Sequence, residues 1–206
     1  MIPLGWNVTV PMLTSQRISP LSSLDAGVIH KILVFQRLDA QMPPRHIREV
    51  NQGAKYMGII VEPGDPRHPE ATALLHASHA LMQELFDAED NHFLSIDDLC
   101  VPEVLFFVAR EYDTTLGCGA LALRAGYGEV KSMFTTEFAR GNGVAAMILS
   151  RLELEARARD LPMLRLETGN TLFAAHRLYE RQGFTRRGPF GDYPESPASV
   201  FMEKLL

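Results

Sequence analysis

Residues 138–160 read FARGNGVAAMILSRLELEARARD. A glycine-rich turn carrying one arginine runs straight into a run of strong helix formers, which predicts a helix over about 142–159. A helix start leaves several backbone N–H groups unpaired and carries the positive end of the helix dipole. Gly141 and Gly143 bear no side chain, so a ligand can approach the backbone closely. Arg140 adds a fixed cationic fork suited to phosphate. Together these features predict a pyrophosphate cradle. Two familiar phosphate loops do not match. The Walker pattern needs Lys-Ser/Thr where Val144-Ala145 stand. The dinucleotide fingerprint needs an acidic residue after the next strand, but Glu167 lies 26 positions past Gly141 and inside that strand. At this level a glycine turn without a ligand remains the competing reading.

The flanking chain alternates strand and helix signals. GIIVEP (58–63) is a short apolar run stopped by Pro63 and Gly64, and so a strand. HPEATALLHASHALMQELFDAED (68–90) places leucines near helical spacing, and SIDDLC (95–100) suggests a helical turn. Strands are expected at EVLFFVAREY (103–112), TTLGCGALALRAG (114–126) and GEVKSMFTTEF (128–138), the first two joined by a turn at EYDTT. After the opening helix come a strand at MLRLETG (163–169) and a helix at TLFAAHRLYERQG (171–183) closed by Gly183. FTRRG and SVFMEKLL form the last strands, joined by PFGDYPESPA. The order is that of a mixed α/β sheet, antiparallel early with a β–α–β crossover late.

Texture and charge both change near residue 56. Residues 1–56 carry six Lys/Arg and three Asp/Glu, net +3, which leaves −8 for the rest of a chain whose total is −5. We expect a loosely ordered or partly helical N-terminal extension over 1–56, with Met57 as a candidate second start, and a folded domain over 57–206. The acidic total argues against general nucleic-acid binding, and no apolar run reaches the length of a membrane span. Two cysteines, Cys100 and Cys118, are too few for a disulfide framework, so reduced thiols and a cytoplasmic setting are expected.

RGNGVA (140–145) resembles the R/Q-x-x-G-x-G/A motif of the GNAT superfamily of acyl-CoA-dependent N-acyltransferases, with Arg140, Gly143 and Ala145 on the specified positions. RLETGNTLFAAHRLYERQGF resembles the second hallmark of that superfamily: a strand, a turn with Asn170, a helix with alanines and a late tyrosine, then Gly-Phe. LETG and PFGDYPESPASVFMEK look closest to a subgroup of small bacterial acetyltransferases, some labelled as acting on indole-acetic acid. The resemblance spans 57–206. It implies the GNAT fold, a mixed central sheet of about six to seven strands flanked by helices, and transfer of an acetyl group from acetyl-CoA to an amine of a small molecule or peptide.

The resemblance also implies residue roles. The pantetheine arm would lie along the strand before the phosphate helix, against the backbone of Met133, Phe134 and Thr135, with one N–H near Met133 or Phe134 facing the thioester oxygen. Arg140, Gly141, Asn142, Gly143, Val144 and Ala145 would hold the pyrophosphate, with Asn170 and Ala174 also on the cofactor side. Tyr179 falls where the superfamily places a tyrosine near the sulfur, as a candidate general acid; a core tyrosine is the plainer reading. Glu129 and Glu167 are competing candidates for the base, and each could instead pair with a neighbouring cation, Lys131 or Arg165. The loop with Phe190, Asp192 and Tyr193 would border the acceptor site, with His92 and Phe93 from the segment after the first helix. Aromatic groups and an acid would suit a cationic or aromatic amine; a self-packed loop is the alternative.

Other features carry less. His76 and His79 stand at i, i+3 without a third ligand at a clear spacing, so no metal is expected. Cys118 reads as a packed thiol. ELEARAR reads as a solvated helix face. A non-catalytic acyl-CoA sensor and a nucleotide-binding protein using the same glycine loop remain the competing classes, and the resemblance allows a homodimer through the last strands.

Overall fold

A computed structural model describes residues 58–206; the N-terminal extension and the boundary near 56 lie outside the described residues. Seven strands form one sheet in the order β1-β2-β3-β4-β5-β7-β6. They are β1 Ile59–Pro63, β2 Val104–Glu111, β3 Thr114–Arg124, β4 Tyr127–Thr135, β5 Met163–Gly169, β6 Thr185–Arg187 and β7 Ser199–Leu205. The helices are α1 Pro69–Leu85, α2 Val144–Arg157 and α3 Phe173–Arg181. Strand and helix order match the sequence reading throughout. The first helix is shorter than expected: it stops at Leu85, and Ala88–Asp90 form a separate single turn.

β3 is buried along almost its whole length because α1 covers one face and α2 the other. That double cover is why its sequence is a continuous run of small and apolar residues rather than an alternation. Against one face pack Ala71, Leu74 and Leu75 of α1. Against the other pack Val144, Ile148, Leu149, Leu152 and Ala156 of α2, at helical spacing, with Tyr179 of α3. The outer face of α2 carries the charge-rich stretch as expected. Arg151–Glu155 and Arg157–Glu153 are i, i+4 pairs at 2.8 and 2.9 Å, and Lys204 reaches over to Glu153. Cys118 lies buried in β3, and burial pushes its thiol up to about 12, so it stays an inert packed group.

All neighbouring strands are antiparallel except β4 and β5. That parallel pair is short. It runs only over Gly128–Val130 against Leu164–Leu166, although β4 continues to Thr135 and β5 to Gly169. Beyond Val130 the two strands share no ladder, and a gap opens in the middle of the sheet. β4 is also bulged here. Its register against β3 shifts between Cys118 and Ala120, where two residues of β4 face one of β3, and Ser132 takes φ +52°.

Candidate active site

Two ends of the split between β4 and β5 are built in different ways. The first end is backbone. A short turn (Glu137–Ala139) leads from β4 to Arg140, and α2 begins at Gly143. Gly141 and Gly143 have φ +78° and +82°, the left-handed region that glycine occupies without strain, and a Cβ on either would meet nothing within 4 Å. Backbone conformation therefore requires these glycines, and the space before them is open. The helix N-terminus has no side-chain cap and no acid in its first turn, so its N–H groups face that space unneutralised. Arg140 stands exposed beside it, its Nε donating to the Thr135 carbonyl at 3.3 Å. Asn142 turns inward to cap the turn, its amide donating to the carbonyls of Ala139 and Arg140. Val144 is buried and Ala145 half-buried, so these two can offer only their backbone.

The second end is made of side chains. Glu167, on β5 just past the last paired residue, accepts one hydrogen bond, from the Ser199 hydroxyl at 2.7 Å. Burial raises its pKa above the usual carboxylate value of 4.5, opposed by Ser199 and by the charges of Lys131 and His92. Tyr179 is buried in the core beside Phe184, with ring centroids 5.8 Å apart. Its place follows from the end of α3. Phe184 N–H bonds the Tyr179 carbonyl and Gly183 N–H bonds that of Glu180, with Gly183 at φ +87°. This is a Schellman closure, whose apolar contact joins the residue after the glycine to the one five before it. Burial first, then the nearby Glu167 carboxylate, raise the Tyr179 phenol, so it is protonated at neutral pH.

Glu129 is arranged differently from Glu167. It is buried and accepts from Tyr193 Oη at 2.5 Å and Arg124 Nε at 3.1 Å, with Lys131 Nζ at 3.6 Å. It lies on the same side of β4 as Lys131, and the ion pair that the alternation allowed has formed, enlarged by Arg124 and Tyr193. Lys131 Nζ in turn donates to the His92 carbonyl at 2.8 Å and to Tyr193 Oη at 2.6 Å. Burial lowers the Lys131 ammonium, opposed by Glu129 and Glu167. The His92 ring meets Tyr193 edge-on at 5.1 Å, and its Nε2 is buried without a hydrogen-bond partner. Leaving such a nitrogen unpaired costs ~1–3 kcal/mol.

Several of the expected contacts fall elsewhere. Phe190 is buried and packed edge-on against Tyr127, Tyr193 and Phe201, with Arg165 and Arg187 over its ring; it pins its own loop rather than facing a substrate. Asp192 is exposed on that loop. The Asn170 amide donates to the Pro197 carbonyl at 2.8 Å and so ties the turn after β5 to the same loop. Ala174 is exposed on the first turn of α3. Met133, Phe134 and Thr135 are half-buried along the unpaired length of β4. Sequence reasoning did not find Arg124 or Ser199, nor that Lys131 serves two distant segments; each acts across more than one element, which spacing along the chain does not encode.

The model of the acetyltransferase (GNAT) family matches residues 72–184, over half of the chain. The chain belongs to the GNAT family of acetyltransferases. As a member it is an N-acetyltransferase. It is 43% identical over 150 residues to an IAA acetyltransferase of Azospirillum brasilense, covering 72% of this chain and 98% of that protein. A crystal structure of a candidate acyl-CoA N-acyltransferase from Klebsiella pneumoniae superposes with a TM-score of 0.61 at 35% identity, over 72% of this chain and 97% of that one. A GNAT acetyltransferase from Elizabethkingia anophelis with acetyl-CoA bound shares the fold, with a TM-score of 0.54 at 20% identity over 73% and 99% of the two chains. Among the described residues of this GNAT protein no helix is long and apolar enough to cross a membrane.

Proposed function

We propose that this GNAT protein transfers the acetyl group of acetyl-CoA to a primary amine by direct attack within a ternary complex. The observation that carries this reading is the split between β4 and β5, which has an uncapped glycine cradle at one end and the Glu167–Tyr179 pair at the other.

The pyrophosphate sits on the N–H groups of 143–146, with Arg140 alongside. The pantetheine arm then lies along Met133–Thr135 as an added strand, using peptide groups that β5 has left unpaired. The amine enters from the side of His92 and Tyr193. Glu167 takes a proton from the ammonium or from the attacking amine. The nitrogen lone pair forms the C–N bond, and electron density moves to the carbonyl oxygen, which a β4 N–H near Met133 stabilises. Collapse of this intermediate breaks the C–S bond; the leaving thiolate takes the Tyr179 hydroxyl proton, and the proton shed by the acylated nitrogen replaces it on the phenolate. The products are an N-acetylated amine and CoA.

Glu167 is the better base of the two carboxylates. Its raised pKa and single donor favour proton uptake, whereas both oxygens of Glu129 are already taken up by Arg124, Lys131 and the Tyr193 hydroxyl.

Calorimetric titration of the full-length protein with acetyl-CoA, with ATP and NAD as controls, tests the cradle. Binding of acetyl-CoA alone is expected; binding of NAD or ATP instead would overturn the reading. Thiol release against a panel of primary amines then separates an enzyme from a module that only binds acyl-CoA.

A further inference from the structure

Two segments distant in sequence meet over β4. One is the stretch 91–94 after α1; the other is the loop 188–198 between β6 and β7. At their edges Ser196 Oγ donates to Asp90 at 2.7 Å, and in the middle one ammonium group reaches into both. Lys131 Nζ donates to the His92 carbonyl in the first segment and to the Tyr193 hydroxyl in the second, and lies 3.6 Å from Glu129 of its own strand. The Tyr193 hydroxyl donates its own hydrogen bond to Glu129, so cation, phenol and carboxylate form a closed triangle. Arg124, from the β3 end of the hairpin, closes the far side of Glu129 at 3.1 Å.

We propose that Lys131 is a positioning residue for acetyl transfer: it holds both acceptor-side segments in register on the strand that carries the thioester. This rests on the transfer reading above and deepens it.

A buried ion pair is a weak device for stability, since desolvation offsets most of the attraction and an apolar pair of similar volume would serve as well. Lys131 is only 8% exposed, and its contacts are spent on two segments that no strand ladder joins to β4. Charge at this place therefore gives direction rather than bulk. A lysine has three donors, and here each has a different neighbour: a carbonyl, a hydroxyl and a carboxylate. Fixing the His92 backbone also fixes its ring against Tyr193, with the unpartnered Nε2 within electrostatic reach of Glu167. The acceptor class that fits is a primary amine carried on an aromatic group: the amine goes to Glu167 and the aromatic group lies beside the His92–Tyr193 ring pair.

Amide hydrogen exchange on the full-length protein, without any acceptor, reads the tie directly. In Lys131→Met, exchange should rise about tenfold in both 91–94 and 188–198, the loss of a charged buried hydrogen bond at each, while β5 and α2 hold their protection. Tyr193→Phe should loosen 188–198 alone. Lys131→Arg, whose fork can still donate to two acceptors, should restore part of the protection. A rise in only one segment for Lys131→Met, or a rise across the whole sheet, would overturn the proposal. If Lys131→Met does not fold because Glu129 is stranded, the double variant Glu129→Gln/Lys131→Met removes both charges and gives the same readout.

Kinetics supply the second arm, with tyramine as probe amine because it carries a primary amine and an aromatic ring. Lys131→Met should raise its KM about tenfold and leave acetyl-CoA affinity and the kcat reached above the acid limb near wild type, while that limb moves to higher pH because the charge that lowers the Glu167 pKa is gone. An equal fall in kcat with KM unchanged would overturn a positioning role. The exchange arm decides alone if tyramine is not turned over. Failure of the wild-type protein to bind acetyl-CoA would remove the transfer reading and still leave the Lys131 tie open to the exchange result.

Discussion

The two ends of the β4–β5 split make an instructive pair. The cradle at 140–145 is built from backbone, lies within six consecutive residues and depends on two φ angles. The acceptor end is built from side chains of β4, β5, the 91–94 segment and the 188–198 loop, brought together from across the chain. On the proposed reading the backbone site binds a feature common to every acyl-CoA. A site of assembled side chains can differ between members of one fold, and on the proposed reading acceptor choice resides there. The same split separates two kinds of carboxylate. Glu167 keeps a raised pKa and one donor, while Glu129 is held by two cations and a phenol.

Substitutions can break or sharpen this contrast. The largest effect is expected at Glu167. Glu167→Gln should lower kcat by ~10³-fold, the scale of a well-placed general base, with acetyl-CoA affinity unchanged by calorimetry. Because burial raises the folded-state pKa, the carboxyl stays protonated to higher pH than a free glutamate. Activity should therefore fall as pH drops through a value above 4.5, and that acid limb should vanish in Glu167→Gln. The same shift has a stability consequence of the opposite sign. Ionising Glu167 costs more in the folded protein, so the variant should gain stability relative to wild type above that pKa, seen as a raised Tm at neutral pH.

Tyr179→Phe comes next, with an expected ~10²-fold loss in kcat for a leaving group as basic as a thiolate. Unchanged kcat across pH would leave Tyr179 as a core residue and no more. On the backbone side, Gly143→Ala puts a Cβ on a residue held at φ +82°. The strain of that conformation should weaken acetyl-CoA binding by about tenfold without changing kcat at saturation. Arg140→Ala should have the smallest effect. The guanidinium is exposed, so about threefold weaker binding is expected, and the difference should shrink as salt rises. A larger loss in Arg140→Ala than in Gly143→Ala would mean that the cradle works by side-chain charge rather than by backbone geometry.

How much of this was legible in the chain follows from the range of the contacts. The order of strands and helices, the α2 start at the glycines and the Gly183 stop each rest on residues within a few positions of one another. Local preference and periodicity encode such features, and the structure agrees with them. The short antiparallel hairpins were also legible, because their turns are sequential. Phe190 was misplaced for the same reason in reverse: its neighbours Tyr127 and Phe201 come from strands that are far away in sequence. An aromatic residue in a Pro/Gly loop reads the same whether it faces solvent, a substrate or the sheet beneath it.

The sequence by itself determined the glycine turn and the bare start of α2, since both are properties of consecutive residues. For the base it offered Glu129, Glu167 or a water, without choosing among them. Only the tertiary structure sets the different surroundings on which the proposed choice of Glu167 rests. Where β4 and β5 stop pairing, which charges surround Glu129, and which segment Lys131 reaches are set by the meeting of remote elements in a low-dielectric interior. There a distance of 3 Å determines whether a carboxylate is an ion-pair partner or a base.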